Sequence, residues 1–404
     1  MNKRRECIMS STPLFPIFYR TAELYMPGKM VFGLNSLERL PKEVRFLGGT
    51  SRALILTDKP VRSTGTPEKA LELLKKEGYE TKVYDDLEPE PRIEIVEKAA
   101  SFAKSFDPEV IIGIGGGSVM DSTKLVAASF TNPGSLKDYV GPNLLKRRGR
   151  PTICIPTTAG TGSEVTQYAV FTIDGKKKTC ASPYIIPDVA LIDPMLTLTL
   201  PPPVTAGCGL DALSHAIESL ISTEATPITD ELAYLATRLI FNYLKRAYYK
   251  PNDVEARYYM SMAATIAGIP LCNARMVVGH SISQTIGPMY KISHGISCAI
   301  TLPYIMKFYA PVVSEKLAQI AVVIGEDVSQ LSLKEAALIS AVSVKRLLEE
   351  VGIPSTLKSY GIPKEMLPKL AEDSITNFPR PNSPIELNKE NVLKILEWMY
   401  EGEI

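Results

Sequence analysis

Three short apolar runs punctuate the first half of the chain: Arg-Ala-Leu-Ile-Leu-Thr at 52–57, Val-Ile-Ile-Gly-Ile at 110–114 and Pro-Thr-Ile-Cys-Ile at 151–155. Their length and β-branched content predict buried parallel strands. Helical spacing occupies 67–77, 93–106 and 119–129 between and beside them. Strand and helix in alternation predict a doubly wound, mostly parallel α/β sheet. The texture changes near residue 200, where Pro201, Pro202 and Pro203 follow a Leu-Thr-Leu-Thr-Leu run. Helix-like segments dominate from there to the C-terminus. The pattern therefore predicts two domains: an N-terminal α/β domain over 1–200 and an all-helical domain over 201–404. Residues 1–20 read as a loose leader, because Pro13 and Pro16 break a stretch already too short to span a bilayer.

Composition narrows the class without naming it. The 404 residues carry 45 lysines and arginines against 44 aspartates and glutamates, a formal charge of +1. Such a balance leaves no electrostatic footprint for nucleic acid or an anionic membrane. The six cysteines, Cys7, Cys154, Cys180, Cys208, Cys272 and Cys298, are scattered and form no Cys-x-x-Cys pair. They read as reduced thiols of a cytoplasmic protein.

The chain has only three histidines, His215, His280 and His294, all within one eighty-residue stretch. Asp211 precedes His215 by four residues, so on a helix the two side chains share a face. Three imidazoles and a carboxylate suit a divalent ion, with zinc, iron and cobalt all acceptable. No thiolate is expected in the cluster, which argues against a closed structural zinc site.

Two further segments carry candidate chemistry. Gly115-Gly116-Gly117-Ser118-Val119-Met120-Asp121 follows a predicted strand and opens a predicted helix. Glycines there admit a ligand close to the backbone, and the free amides of a helix start favour phosphate oxygens. It departs from the common dinucleotide fingerprint, since Ser118 stands where the last glycine belongs. As a plain turn, the same stretch would use Ser118 as helix cap and Asp121 against the helix dipole. Pro156-Thr157-Thr158-Ala159-Gly160-Thr161-Gly162-Ser163-Glu164 also follows a strand and is crowded with hydroxyls suited to a nucleotide or to a polar turn.

Gly-Gly-Gly-Ser-x-x-Asp-x-x-Lys at 115–124, the 156–164 segment and Gly-Leu-Asp-Ala-Leu-Ser-His-Ala-Ile-Glu at 209–218 together resemble the iron-containing, or group III, alcohol dehydrogenase family. The likeness extends to His280 and His294-Gly295, and more loosely from about residue 25 to the C-terminus. It implies a dinucleotide-binding α/β domain, an all-helical metal domain and an active site in the cleft between them. It also implies metal ligands Asp211, His215, His280 and His294, acting catalytically through the ion. Cofactor contacts would come from Gly116, Gly117, Ser118, Asp121, Thr157, Thr158, Thr161 and Lys178, with Asp58 at the adenine ribose.

A carboxylate at Asp58 accepts from a free 2′-hydroxyl and repels a 2′-phosphate, favouring NAD(H) over NADP(H); Lys59 and Arg62 nearby pull the other way. Fe2+ is preferred by the resemblance, while Zn2+ competes on affinity. The expected reaction passes hydride between nicotinamide and a small alcohol or aldehyde. Since all three histidines are spent on the ion, the proton should leave through water, a cofactor hydroxyl or a polar relay. Gln284 stands where many relatives carry a further histidine, and glutamine cannot titrate near neutrality. It could orient substrate or water, or merely face solvent or the domain interface. Glu218 reads as a helix-surface salt-bridge residue, with a bond to a ligand imidazole as the alternative. A dehydroquinate-synthase-like lyase and a non-catalytic nucleotide sensor are the rival readings. The resemblance also implies a homodimer or larger homo-oligomer.

Overall fold

The computed structural model describes residues 21–404; the expected leader at 1–20, with Cys7, lies outside them. The described strands are β1 (Lys29–Phe32), β2 (Arg52–Asp58), β3 (Glu80–Leu87), β4 (Val110–Gly115), β5 (Gly141–Pro142), β6 (Thr152–Pro156), β7 (Tyr168–Ile173), β8 (Lys176–Ala181) and β9 (Val189–Ile192). Among them run α1 (Leu40–Phe46), α2 (Lys59–Arg62), α3 (Thr66–Lys76), α4 (Ile93–Phe106) and α5 (Gly117–Ala128). From residue 202 onward the regular structure described is helical: α6 (Pro202–Ile221), α7 (Pro227–Tyr249), α8 (Val254–Ala274), α9 (Val278–Tyr290), α10 (His294–Val323), α11 (Leu333–Glu350), α12 (Leu367–Asn377) and α13 (Lys389–Glu401), with short 3-10 turns between.

The main sheet has the order β1-β9-β6-β4-β2-β3, and every pairing is parallel. Alternation along β2 sends Leu54 and Leu56 to a core shared with Ile111, α4 and α5. Ala53 and Ile55 go to the opposite core with Val110, Ile112, Ile153, α1 and α3. Because both faces are buried, these strands read as unbroken apolar runs. The order reverses between β2 and β4: the chain steps outward from β2 to edge strand β3, then α4 carries it back across to β4. Carboxyl ends of strands at such a reversal open a crevice. Here it lies between Asp58, closing β2, and Gly115–Gly117, leaving β4.

A second, three-stranded sheet has the order β5-β8-β7: β7 and β8 come from the β6–β9 connection, and β5 from the segment between α5 and β6. Its antiparallel hairpin turns at Asp174-Gly175, both at positive φ, +48° and +73°. This is the turn whose twist matches a two-residue hairpin.

The helices share one large core, and α6 runs through it with buried side chains on all sides. Between α8 and α9 the axis bends by 109°, and Arg275 takes the left-handed φ of +63° at the break. That bend turns α9 back toward α6. By length and composition α10 could cross a membrane, but 72% of its apolar window is buried within the protein, as befits a core helix.

The segment after β6 joins the two halves. Glu164 accepts from Thr265 Oγ1 at 2.7 Å, Gln167 Nε2 donates to the Cys272 carbonyl at 3.0 Å, and Val165 packs with Ile269. Gly162 is at φ +61°, and a Cβ there would stand 2.6 Å from Gly268 Cα. Only backbone against backbone fits that crossing.

Candidate metal centre and cofactor crevice

One helical turn on α6 brings His215 Nε2 to 3.6 Å from Asp211 Oδ1. His294 opens α10, and its Nε2 lies 3.9 Å from the same oxygen. This approach depends on Gly295, where a Cβ would stand 2.9 Å from the Gly207 carbonyl carbon and 3.2 Å from Asp211 Cβ. From α9, the His280 ring centroid lies 5.2 Å from that of His215 and 5.5 Å from that of His294. The structure thus brings the four expected ligands together from three helices.

Asp211 Oδ1 and His215 Nδ1 are buried with no hydrogen-bond partner. A buried carboxylate oxygen without a donor is costly. Set among imidazole nitrogens, it fits a site built for a cation. Burial opposes ionisation of Asp211, yet His215, His294 and His280 around it hold its carboxyl below the ordinary range. Burial also lowers His280 far below its usual value and His294 to about 4, so both imidazoles are neutral, as metal ligands must be.

Glu218 corrects its surface assignment. It is fully buried, and its Oε1 lies 2.6 Å from His280 Nδ1. Its Oε2 accepts from the Val277 and His280 amides at 3.0 and 3.3 Å. Glu218 engages Nδ1, so Nε2 is left facing the cluster whichever of the two groups holds the shared proton. Burial lifts the Glu218 carboxyl to about 8.

A second correction concerns sulfur. Cys298, one turn after His294 on α10, places Sγ 3.6 Å from His280 Nε2 and 3.7 Å from His294 Nε2. One donor atom each from Asp211, His280, His294 and Cys298 falls within 4.8 Å of all the others. The expectation of a thiol-free cluster is therefore wrong. Burial pushes the Cys298 thiol well above its ordinary value, so without an ion it is neutral.

The glycine turn does lie at the crevice. Gly116 sits against Thr158 and Gly117 against Thr161, while the Thr157 amide donates to the Gly115 carbonyl at 3.0 Å. The helix cap is Gly116, and Ser118 lies inside α5, accepting from the Glu90 amide at 3.1 Å. Asp121 is engaged internally: Oδ1 accepts from Ser163 Oγ at 2.5 Å and Oδ2 from the Val170 amide at 2.9 Å. It fastens α5 to the strands that follow, alongside buried Lys124, whose Nζ reaches Ser163 Oγ at 2.7 Å and the Tyr168 carbonyl at 2.8 Å.

Lys178 is exposed on β8. Its neighbour Lys177, on the opposite face of the strand, pairs with Glu90 at 2.7 Å, and its charge acts on Asp211 and His294.

Asp58 caps α2 by accepting from the Val61 amide at 2.8 Å, and burial raises its pKa. Lys59 is paired with Asp86, and Arg62 with both Glu68 and Asp85. Gln284 Oε1 accepts from Arg380 Nη2 at 3.1 Å, so it is half-buried and engaged by the C-terminal segment.

Residues 27–194 match the family model "Iron-containing alcohol dehydrogenase", and 205–400 match "Fe-containing alcohol dehydrogenase family, C-terminal". The chain belongs to the iron-containing alcohol dehydrogenase family. This dehydrogenase is 36% identical to long-chain-alcohol dehydrogenase 1 of Geobacillus thermodenitrificans over 387 residues, 95% of this chain and 98% of that one. It is also 36% identical to an NADPH-dependent butanol dehydrogenase of Clostridium saccharobutylicum, covering 93% and 97%. A solved 1,3-propanediol oxidoreductase superposes with a TM-score of 0.91 at 32% identity, over 94% of this chain and all of that one. The dehydrogenase accordingly exchanges hydride between an alcohol or aldehyde and a nicotinamide cofactor with the help of a metal. That sets aside the lyase and sensor readings.

Proposed function

We propose that this dehydrogenase is NAD(H)-preferring, holds one Fe2+ through Asp211, His215, His280 and His294, and acts on its alcohol or aldehyde at the junction of domains 1–200 and 201–404. The observation that carries the metal reading is the buried, unpartnered Asp211 oxygen set among three imidazoles. Held by these residues, such an ion would supply a Lewis acid to the substrate oxygen, and a nicotinamide in the crevice would supply or accept the hydride.

The chain's own residues supply position. Glu218 fixes His280 so that Nε2 faces the cluster. Gly116, Gly117 and Ser118 at the start of α5, with Thr157, Thr158 and Thr161 opposite, line the crevice for the dinucleotide, and Lys178 on β8 or its neighbour Lys177 completes that set. Asp121 acts by holding this frame. The Asp58 carboxylate favours a ribose hydroxyl, and the neighbouring cations that could have received a 2′-phosphate are already paired with acids. With no histidine left over, the proton leaves by water, a cofactor hydroxyl or a polar relay, and Gln284 contributes no titration.

Cytoplasmic residence is supported by the described cysteines, all unbridged. A homodimer or larger assembly is supported by edge strand β1, around which Met26, Met30 and Leu34 are each more than 40% exposed.

Anaerobic reconstitution tests the proposal. Chelator-stripped protein should bind NADH yet turn over no alcohol or aldehyde, and Fe2+ should restore turnover. Equal turnover with and without metal would refute the site. Asp58→Gly should shift the NADH-to-NADPH preference toward NADPH by tenfold or more; an unchanged ratio would remove Asp58 from the cofactor site.

A further inference from the structure

We propose that Cys298 is an additional donor to the ion of this site, giving the chain a mixed nitrogen, oxygen and sulfur set with raised affinity for zinc. The inference rests on the metal reading above and concerns a residue outside the four expected ligands.

Geometry supports it first. Bonds of about 2.3 Å from zinc to sulfur and about 2.05 Å from zinc to nitrogen, meeting at the angles of about 90–120° found in a five-donor set, separate the two ligand atoms by about 3.1–3.8 Å. Cys298 Sγ lies 3.6 Å from His280 Nε2 and 3.7 Å from His294 Nε2. The nitrogen on His280 is the one Glu218 leaves facing the cluster. Asp211 completes the group of four whose donor atoms lie within 4.8 Å of each other, and its unpartnered buried oxygen independently marks the same point as a cation site. His215 reaches this group through Asp211, its ring tilted by 31° against that of His280. Ser283 Oγ, 3.0 Å from Sγ, holds the thiol in place.

On binding, the S–H bond breaks, a sulfur–metal bond forms, and the proton passes to solvent. Thiolate is a soft ligand that favours zinc over Fe2+, against the oxygen and nitrogen donors around it. This chain should therefore retain zinc more strongly than the aspartate and histidines alone would provide.

Cobalt reports the sulfur directly. Metal-free full-length protein is loaded with Co2+ without oxygen, alongside Cys298→Ser, and thermal melts check that both are folded. The expected result is an intense near-ultraviolet thiolate-to-cobalt band in the unaltered protein. Cys298→Ser should lose that band while keeping the weaker visible bands of bound cobalt. Visible bands without a thiolate band in the unaltered protein, or a thiolate band that survives in Cys298→Ser, would overturn the inference and leave the metal site standing. Absence of all cobalt bands would overturn the metal site and this inference with it. Loading from equimolar Zn2+ and Fe2+ gives a second readout: Cys298→Ala should bind a lower zinc-to-iron ratio, and an unchanged ratio would count against a sulfur ligand.

Discussion

Glu218 shows how much one buried carboxylate can set. It engages His280 Nδ1 and accepts from two backbone amides, so Glu218→Ala should weaken metal binding by about 10–100-fold, measured by chelator competition. Glu218→Gln should fall between, since an amide keeps one acceptor oxygen but turns its NH2 toward N–H donors. Equal affinities across all three would sever Glu218 from the site. Asp211 and His215 were legible because a four-residue spacing on a helix fixes a shared face. Glu218, three residues on, was misread as a surface residue because α6 is buried all round, which leaves no polar side to tell from a core side. The His294-x-x-x-Cys298 spacing carried the same signal as Asp211 and His215, and went unused because the cysteines were judged only as possible pairs with one another.

The strands that the apolar pattern revealed are buried on both faces, and the helices it revealed carry a buried apolar stripe. β2, β4, β6, α3, α4 and α5 fall within a residue or two of expectation. Edge strand β3 and hairpin β7–β8 are half-exposed and rich in charge, so periodicity did not reveal them; Asp174-Gly175 was the available hairpin signal. Asp121 and Lys124 make α5 part of that hairpin's foundation. Asp121→Ala would leave the buried ammonium of Lys124 and the Val170 amide short of a partner, and should cost about 3 kcal/mol in urea unfolding, with a raised KM for cofactor. Lys124→Met added to it should recover part of the loss. At the head of β2, Glu109 accepts from the Thr50 and Ser51 amides, which lower its pKa to about 2. Because the folded value is depressed, its contribution is complete above the unfolded carboxyl pKa and fades as pH falls toward about 2. The melting difference between the protein and Glu109→Ala should thus be constant near neutrality and shrink in acid; a difference independent of pH would show that the charge adds nothing.

At the scale of the molecule, the change of texture near residue 200 was visible because Pro201–Pro203 separates β-rich from helical sequence. The docking of the halves was not, since it depends on glycines and hydroxyls whose partners lie about a hundred residues away in sequence. Solution mass bears on the proposed assembly: light scattering should give at least twice the chain mass, and Met30→Lys on the exposed edge should lower it. A monomer in both cases would return that edge to solvent. The crossing of Gly162 over Gly268 has a bearing on protein engineering. A hybrid made by grafting the nucleotide half of one relative onto the metal half of another can succeed only if both parents bring a residue without a side chain to that spot. Matching the visible ligands alone would yield a chimera whose two reactive centres never come into register.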